Sequence, residues 1–186
     1  MTTALQKTEK IRAVFLETQL FYAKHDEMPA LIAYLSDTEK EFSSIAYESA
    51  SMAIALKSFE AETFPHEWLL FASGPAAAHH AQVYVGLGWA IAKFNFPFLT
   101  AVIKLDSKFY FRIADGCGYY DGSFKHRRTV TNKELPVYLP DAAMPMYYQG
   151  VGRSIWYTAN ADIHHICSKI ESFAAERHAD LWRGVG

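Results

Sequence analysis

The chain has 186 residues, which at about 150 residues per domain predicts one domain over 1–186. Its 18 Lys and Arg against 20 Asp and Glu leave a formal charge of −2, so it offers no basic footprint for nucleic acid or an acidic membrane. With 51% hydrophobic and 20% charged residues the balance is globular and excludes disorder, while 15% aromatics exceed what a core requires. In chain order, residues 1–10 are polar and carry no signal-peptide pattern. Apolar segments at Met28–Leu35, His66–Ala72, Phe96–Lys104 and Ile163–Phe173 predict short helices. Longer helices are predicted around Phe42, Ile45, Ala46, Met52, Ala53 and Leu56, and around Val83, Leu87, Ala90, Ile91 and Phe94, where apolar residues recur at three- and four-residue steps. Ser36, Asp37 and Thr38, then Asp106-Ser107 and Asp162, are N-cap candidates. Trp68–Ala92 holds no Asp, Glu, Lys or Arg over 25 residues. Gly74-Pro75, His79, His80 and Gln82 break it, so two buried helices are expected there and no membrane span. Lys125–Pro145, with three prolines, is expected to be irregular, with short extended pieces at Thr129–Thr131 and Val137–Leu139.

A short pattern recurs along this order. Val85-Gly86-Leu87-Gly88-Trp89, Asp115-Gly116-Cys117-Gly118-Tyr119 and Gln149-Gly150-Val151-Gly152-Arg153 match one another and the terminal Arg183-Gly184-Val185-Gly186. Glu48-Ser49-Ala50-Ser51-Met52 keeps small residues at the glycine positions, and successive copies are 37, 30, 34 and 34 residues apart. A period near 34 predicts an all-α fold of helix-hairpin repeats forming a short α-superhelix, each G-x-G lying near the middle of the longer helix. Glycine inside a helix costs about 1 kcal/mol against alanine, so its recurrence needs a cause: close helix packing, or a cradle for a ligand. The dinucleotide fingerprint fails in all three copies, where its third glycine is replaced by Ile91, Asp121 and Ile155.

Nucleophile elbows, P-loops, H-E-x-x-H and C-x-x-C motifs are all missing. Cys117 and Cys167, fifty residues apart, give neither a zinc site by themselves nor a disulfide framework, so a reduced, cytoplasmic chain is expected. His79-His80 and His164-His165 are adjacent pairs that diverge on a helix, so no metal ligands are assigned and no cofactor is implied. Two polar clusters remain. One holds Asp115, Tyr119, Tyr120, Asp121, His126, Arg127 and Arg128; the other holds Gln149, Arg153, Trp156 and Tyr157. They read either as a buried Asp–Arg network joining helices or as an aromatic-lined small-molecule site whose arginines hold a carboxylate or phosphate. The candidate binding residues are Tyr120, His126, Arg127, Arg128, Gln149, Arg153 and Trp156. Asp115 and Asp121, assisted by His79 or His126, are the candidate acid–base groups.

Ile45-Ala46-Tyr47-Glu48, Gly74-Pro75 through His79, the three G-x-G segments, Tyr120-Asp121-Gly122-Ser123-Phe124, Arg127-Arg128, Ser154-Ile155-Trp156 and Asp180–Gly186 together carry a resemblance. Over residues 30–186 the chain resembles bacterial proteins of unknown function labelled enediyne biosynthesis proteins (UnbL type). The resemblance implies a cytoplasmic accessory protein of polyketide or related natural-product biosynthesis. Tyr84 and Tyr120 stand where histidine is expected in that pattern, and the chain stops at the last G-x-G, which leads us to expect a second subunit over that end. Three functions follow as expectations. The first is an accessory protein, a homodimer, holding an apolar or carrier-tethered ligand in an aromatic groove. The second is an enzyme using an Asp/His pair, and the third a helical protein–protein scaffold.

Overall fold

The computed structural model describes residues 4–186. Among them every regular element is helical and there is no strand, so the chain is all-α as its periodicity predicts. It divides into two compact units, Met1–Leu87 and Gly88–Gly186.

In the first unit, α1 (Ala4–His25), α2 (Met28–Asp37), α3 (Ser43–Glu60) and α4 (His66–Ser73) precede α5 (His80–Phe94), which runs through the boundary. Pro29 sits in the first turn of α2, where its missing N–H costs no intrahelical bond. Leu31, Leu35, Ile54, Trp68 and Phe71 are fully buried and form the core. The expected caps at Ser36, Asp37 and Thr38 do not start α3, whose N-cap position is Phe42. Ser36 and Asp37 belong to α2 instead, and the Ser36 and Thr38 hydroxyls donate back to Ile32 O and Tyr34 O at 2.8 and 3.2 Å. Gly74 ends α4, and a short 3-10 turn at Ala77–His79 leads into α5, so Trp68–Ala92 is indeed two helices. No helix of the described residues is long and apolar enough to cross a membrane.

The second unit holds the rest of α5, then α6 (Phe98–Val102), α7 (Tyr110–Phe124), α8 (Met144–Thr158), α9 (Ile163–Glu171) and α10 (Ala175–Val185). Asn95 closes α5 in the left-handed conformation (φ 54°), which its short polar side chain tolerates. Asp106 accepts from Lys108 N, and Asp162 caps α9 by accepting from His164 N and His165 N. The loop departs from expectation. Thr129–Thr131 is not extended but lies in a π-turn, Arg127–Thr131, closed by Asn132 N to Arg127 O at 2.9 Å, with Thr129 and Val130 buried. Val137–Leu139 is a turn: with no strand to pair with, its Tyr138 carbonyl accepts from Phe98 N at the start of α6, at 2.9 Å.

The repeated glycines are helix contacts in one register. A Cβ on Gly86, Gly150 or Gly184 would overlap the carbonyl of Glu48, Asp115 or Gln149, in each case the first residue of the preceding copy. A Cβ on Gly88, Gly118 or Gly152 would overlap the carbonyl of Ile113, Tyr147 or Leu181, each three residues before the first glycine of the following copy. Serine plays the same part in the degenerate copy, where Ser51 Oγ donates to Val83 O at 2.6 Å and Ser49 Oγ to Phe15 O at 2.5 Å. Of the two expected causes, close packing is what these contacts display: dispersion and Cα–H···O contact between backbones offset the glycine penalty.

Candidate functional site

The register also places side chains. Trp89, Tyr119 and Arg153 each follow the second glycine of a copy, so they occupy equivalent points on α5, α7 and α8. The Trp89 and Tyr119 ring centroids are 5.0 Å apart, and the Arg153 guanidinium lies over Tyr119 at 4.8 Å. Rings adjoin at both ends. Tyr157 meets Tyr119 edge-on at 5.8 Å and Trp156 at 4.8 Å, while Phe124 lies 5.8 Å from Trp89 and 4.9 Å from Tyr120. The result is a continuous ladder of rings, Phe124–Tyr120–Trp89–Tyr119–Tyr157–Trp156, with Phe124 (66%) and Trp156 (37%) exposed at its ends.

Arg153 is held from beneath. Its Nη2 donates to Asp115 Oδ2 at 2.6 Å, joining α8 to α7. Burial pushes the Asp115 carboxyl up, against the opposing pull of Arg153 and Arg112. The Arg153 side chain is about one-third exposed, and its buried Nε donates to no protein group among the described residues.

Two turns along α7, Asp121 is 3% exposed. Its Oδ2 accepts from Tyr138 OH at 2.6 Å and Tyr147 OH at 3.1 Å, and its Oδ1 is 3.0 Å from Lys125 Nζ. Burial pushes both phenols and the Cys117 thiol up, and the Asp121 carboxylate adds to the rise at Tyr147 and Cys117. Lys125 also donates to Ala92 O (2.6 Å) at the end of α5 and to Asn95 Oδ1 (3.1 Å). A cavity of about 270 Å³ adjoins this cluster.

The predicted residues therefore separate. Asp115, Arg153, Tyr120 and Trp156 belong to the ladder and its support, whereas Asp121 and Arg128 line the cavity. His126 turns back on its own chain, Nδ1 lying 3.0 Å from Gly122 O, and Arg127 is exposed. Gln149 serves the packing through its carbonyl, against Gly184. His79 is in the first unit, stacked on Tyr47 at 4.2 Å with Nδ1 3.1 Å from Ser44 Oγ; burial holds its pKa down. Among the described residues no group of three or more His, Cys, Asp or Glu could hold a metal ion. Sequence reasoning did not select Trp89, Tyr119 or Tyr157 as binding residues, although the shared place of Trp89, Tyr119 and Arg153 in the repeat was a usable signal. Tyr138 and Tyr147 had none, since one comes from the irregular loop and the other reads as an ordinary helix residue.

The family model described as protein of unknown function (DUF1702) matches residues 1–186. No curated protein and no solved structure matches the chain.

Proposed function

We propose that this chain, which belongs to the DUF1702 family, is an accessory binding protein that holds a flat, apolar, acidic small molecule against the aromatic ladder. The single observation that carries the reading is the guanidinium of Arg153 lying on Tyr119 in mid-ladder, fixed by Asp115. Rings supply a large apolar contact at low conformational cost, and a planar guanidinium matches a carboxylate or phosphate. The resemblance to the enediyne biosynthesis proteins supplies the setting, natural-product biosynthesis, in which conjugated and carrier-tethered acids are the ligands to expect. In the same reading the protein works as a homodimer, with the exposed Ile163 (53%) and Trp182 (37%) of α9 and α10 covered by the second copy.

Titration of the full chain with a conjugated polyene fatty acid tests the ligand. Saturable quenching of tryptophan fluorescence, reduced by Trp89→Phe and weakened at least tenfold by Arg153→Gln, is expected. Quenching that does not saturate, or that ignores Arg153, overturns the reading. Sedimentation equilibrium at micromolar concentration tests the dimer, and a monomer sinks it.

An acid–base enzyme is the second reading, favoured by the raised pKa of Asp115 beside the ladder. It requires Asp115→Asn to abolish pathway product even at fatty-acid concentrations that saturate the variant.

A further inference from the structure

The cavity beside Asp121 is lined by none of the ladder residues. We propose that it is a separate binding site, for a small carboxylic acid that also carries a hydroxyl group. The hydrogen-bonding positions already taken define what can enter. Asp121 Oδ2 is occupied by the two phenols, but Oδ1, buried and 3.0 Å from Lys125 Nζ, accepts no hydrogen bond. Lys125 directs its bonds to Ala92 O and Asn95 Oδ1 instead. That buried oxygen has an ion-pair contact but no aligned donor, so a donor entering the cavity gives it the hydrogen bond it lacks.

Charge decides which donor. Lys125 already balances Asp121, so a ligand ammonium would place a second positive charge beside the lysine; a hydroxyl donates without adding charge. At the mouth unused donors decide, since Arg128 is itself charge-paired with Glu134. Arg128 lines the cavity and is anchored through Nε to Glu134 Oε2 at 2.7 Å, while Glu134 Oε1 is occupied by Asn132 at 3.0 Å. The outer N–H groups of Arg128 have no partner among the described residues, and their planar fork matches a carboxylate. At about 270 Å³ the space lies just under the roughly 300–1,000 Å³ of drug-sized pockets, which restricts the ligand to a small molecule.

Calorimetric titration of the full chain with mandelate, 4-hydroxyphenylacetate and 3-hydroxybutyrate, beside their deoxy counterparts phenylacetate and butyrate, tests the site. At least one hydroxy acid is expected to bind at least tenfold more tightly than its deoxy counterpart. Arg128→Gln, at an exposed position, is expected to weaken that binding at least tenfold, whereas Lys104→Gln on the exposed surface leaves it unchanged. The inference is overturned if no hydroxy acid exceeds its deoxy counterpart, or if Arg128→Gln has no effect. It is also overturned if tyramine, which carries an ammonium and no carboxylate, binds as well as 4-hydroxyphenylacetate. The polyene titration reads the ladder separately, so either site can fail alone.

Discussion

The backbone carbonyl of Asp115 occupies the place a Cβ on Gly150 would take. Its carboxylate reaches Arg153, about one helical turn beyond that glycine, at 2.6 Å. One residue of α7 thus serves both the close packing of α8 and the arginine that lies over Tyr119. Helix contact and candidate site share a register.

Gly150→Ala and Gly118→Ala should be among the most damaging single changes in the second unit. Each drives a methyl into a backbone carbonyl, Asp115 or Tyr147, that cannot swing aside as a side chain would. A loss of about 3 kcal/mol or more is expected from urea denaturation. A loss under about 1 kcal/mol, the scale of helix propensity alone, would show that the helices separate freely.

The pH dependence of stability should carry the signature of Asp115. Its folded pKa is raised by burial. Below the unfolded value of about 3.9 both states hold the proton. As pH rises through the raised folded value the native state must ionise a buried carboxyl, and stability is lost. Asp115→Asn removes that loss, so its urea midpoint should fall less than the parent's between pH 4 and pH 7. Equal falls would refute burial as the dominant influence on this group.

In the first unit, Trp68 Nε1 donates to Ser51 Oγ at 2.8 Å, and Ser51 donates on to Val83 O at 2.6 Å. Ser51→Gly supplies the glycine found in the other copies but leaves the buried indole N–H unpaired, at a cost of about 1–3 kcal/mol. Trp68→Phe in the Ser51→Gly background should therefore cost less than in the parent. Additive losses in this double-mutant cycle would show that the chain Trp68–Ser51–Val83 carries no coupling.

His79 should titrate below an ordinary histidine, because burial disfavours its imidazolium. Its contribution to stability is present above about pH 6.5 and is lost as pH falls towards the depressed folded value. Proton NMR titration of the ring checks this, with His79→Gln identifying the resonance. A midpoint above 6.5 would mean that the ring is open to solvent or paired with an acid.

Much of the helical framework was legible in the chain, and for definite reasons. Helix existence follows from apolar spacing, so α2, α4 and α9 lie where Met28–Leu35, His66–Ala72 and Ile163–Phe173 place them. The G-x-G copies mark the middles of α5, α7 and α8 because only a missing Cβ lets a neighbouring backbone approach so closely. Caps were read less well. A serine or threonine after a helix can bond backwards as readily as forwards, and Ser36 and Thr38 do. Thr129–Thr131 looked extended because β-branched residues favour that conformation, yet a π-turn buries Thr129 and Val130.

The candidate site divides along the same line. Local spacing by itself determined the all-helical class, the repeat and the placement of its glycines, and the fact that Trp89, Tyr119 and Arg153 share one place in that repeat. Tertiary structure alone decided that Asp115 holds Arg153 while Asp121 faces Tyr138 and Tyr147 beside a cavity. Spacing along a helix reports which residues share a face, but a buried carboxylate's partners come from another helix and an irregular loop, and chain periodicity carries no record of them.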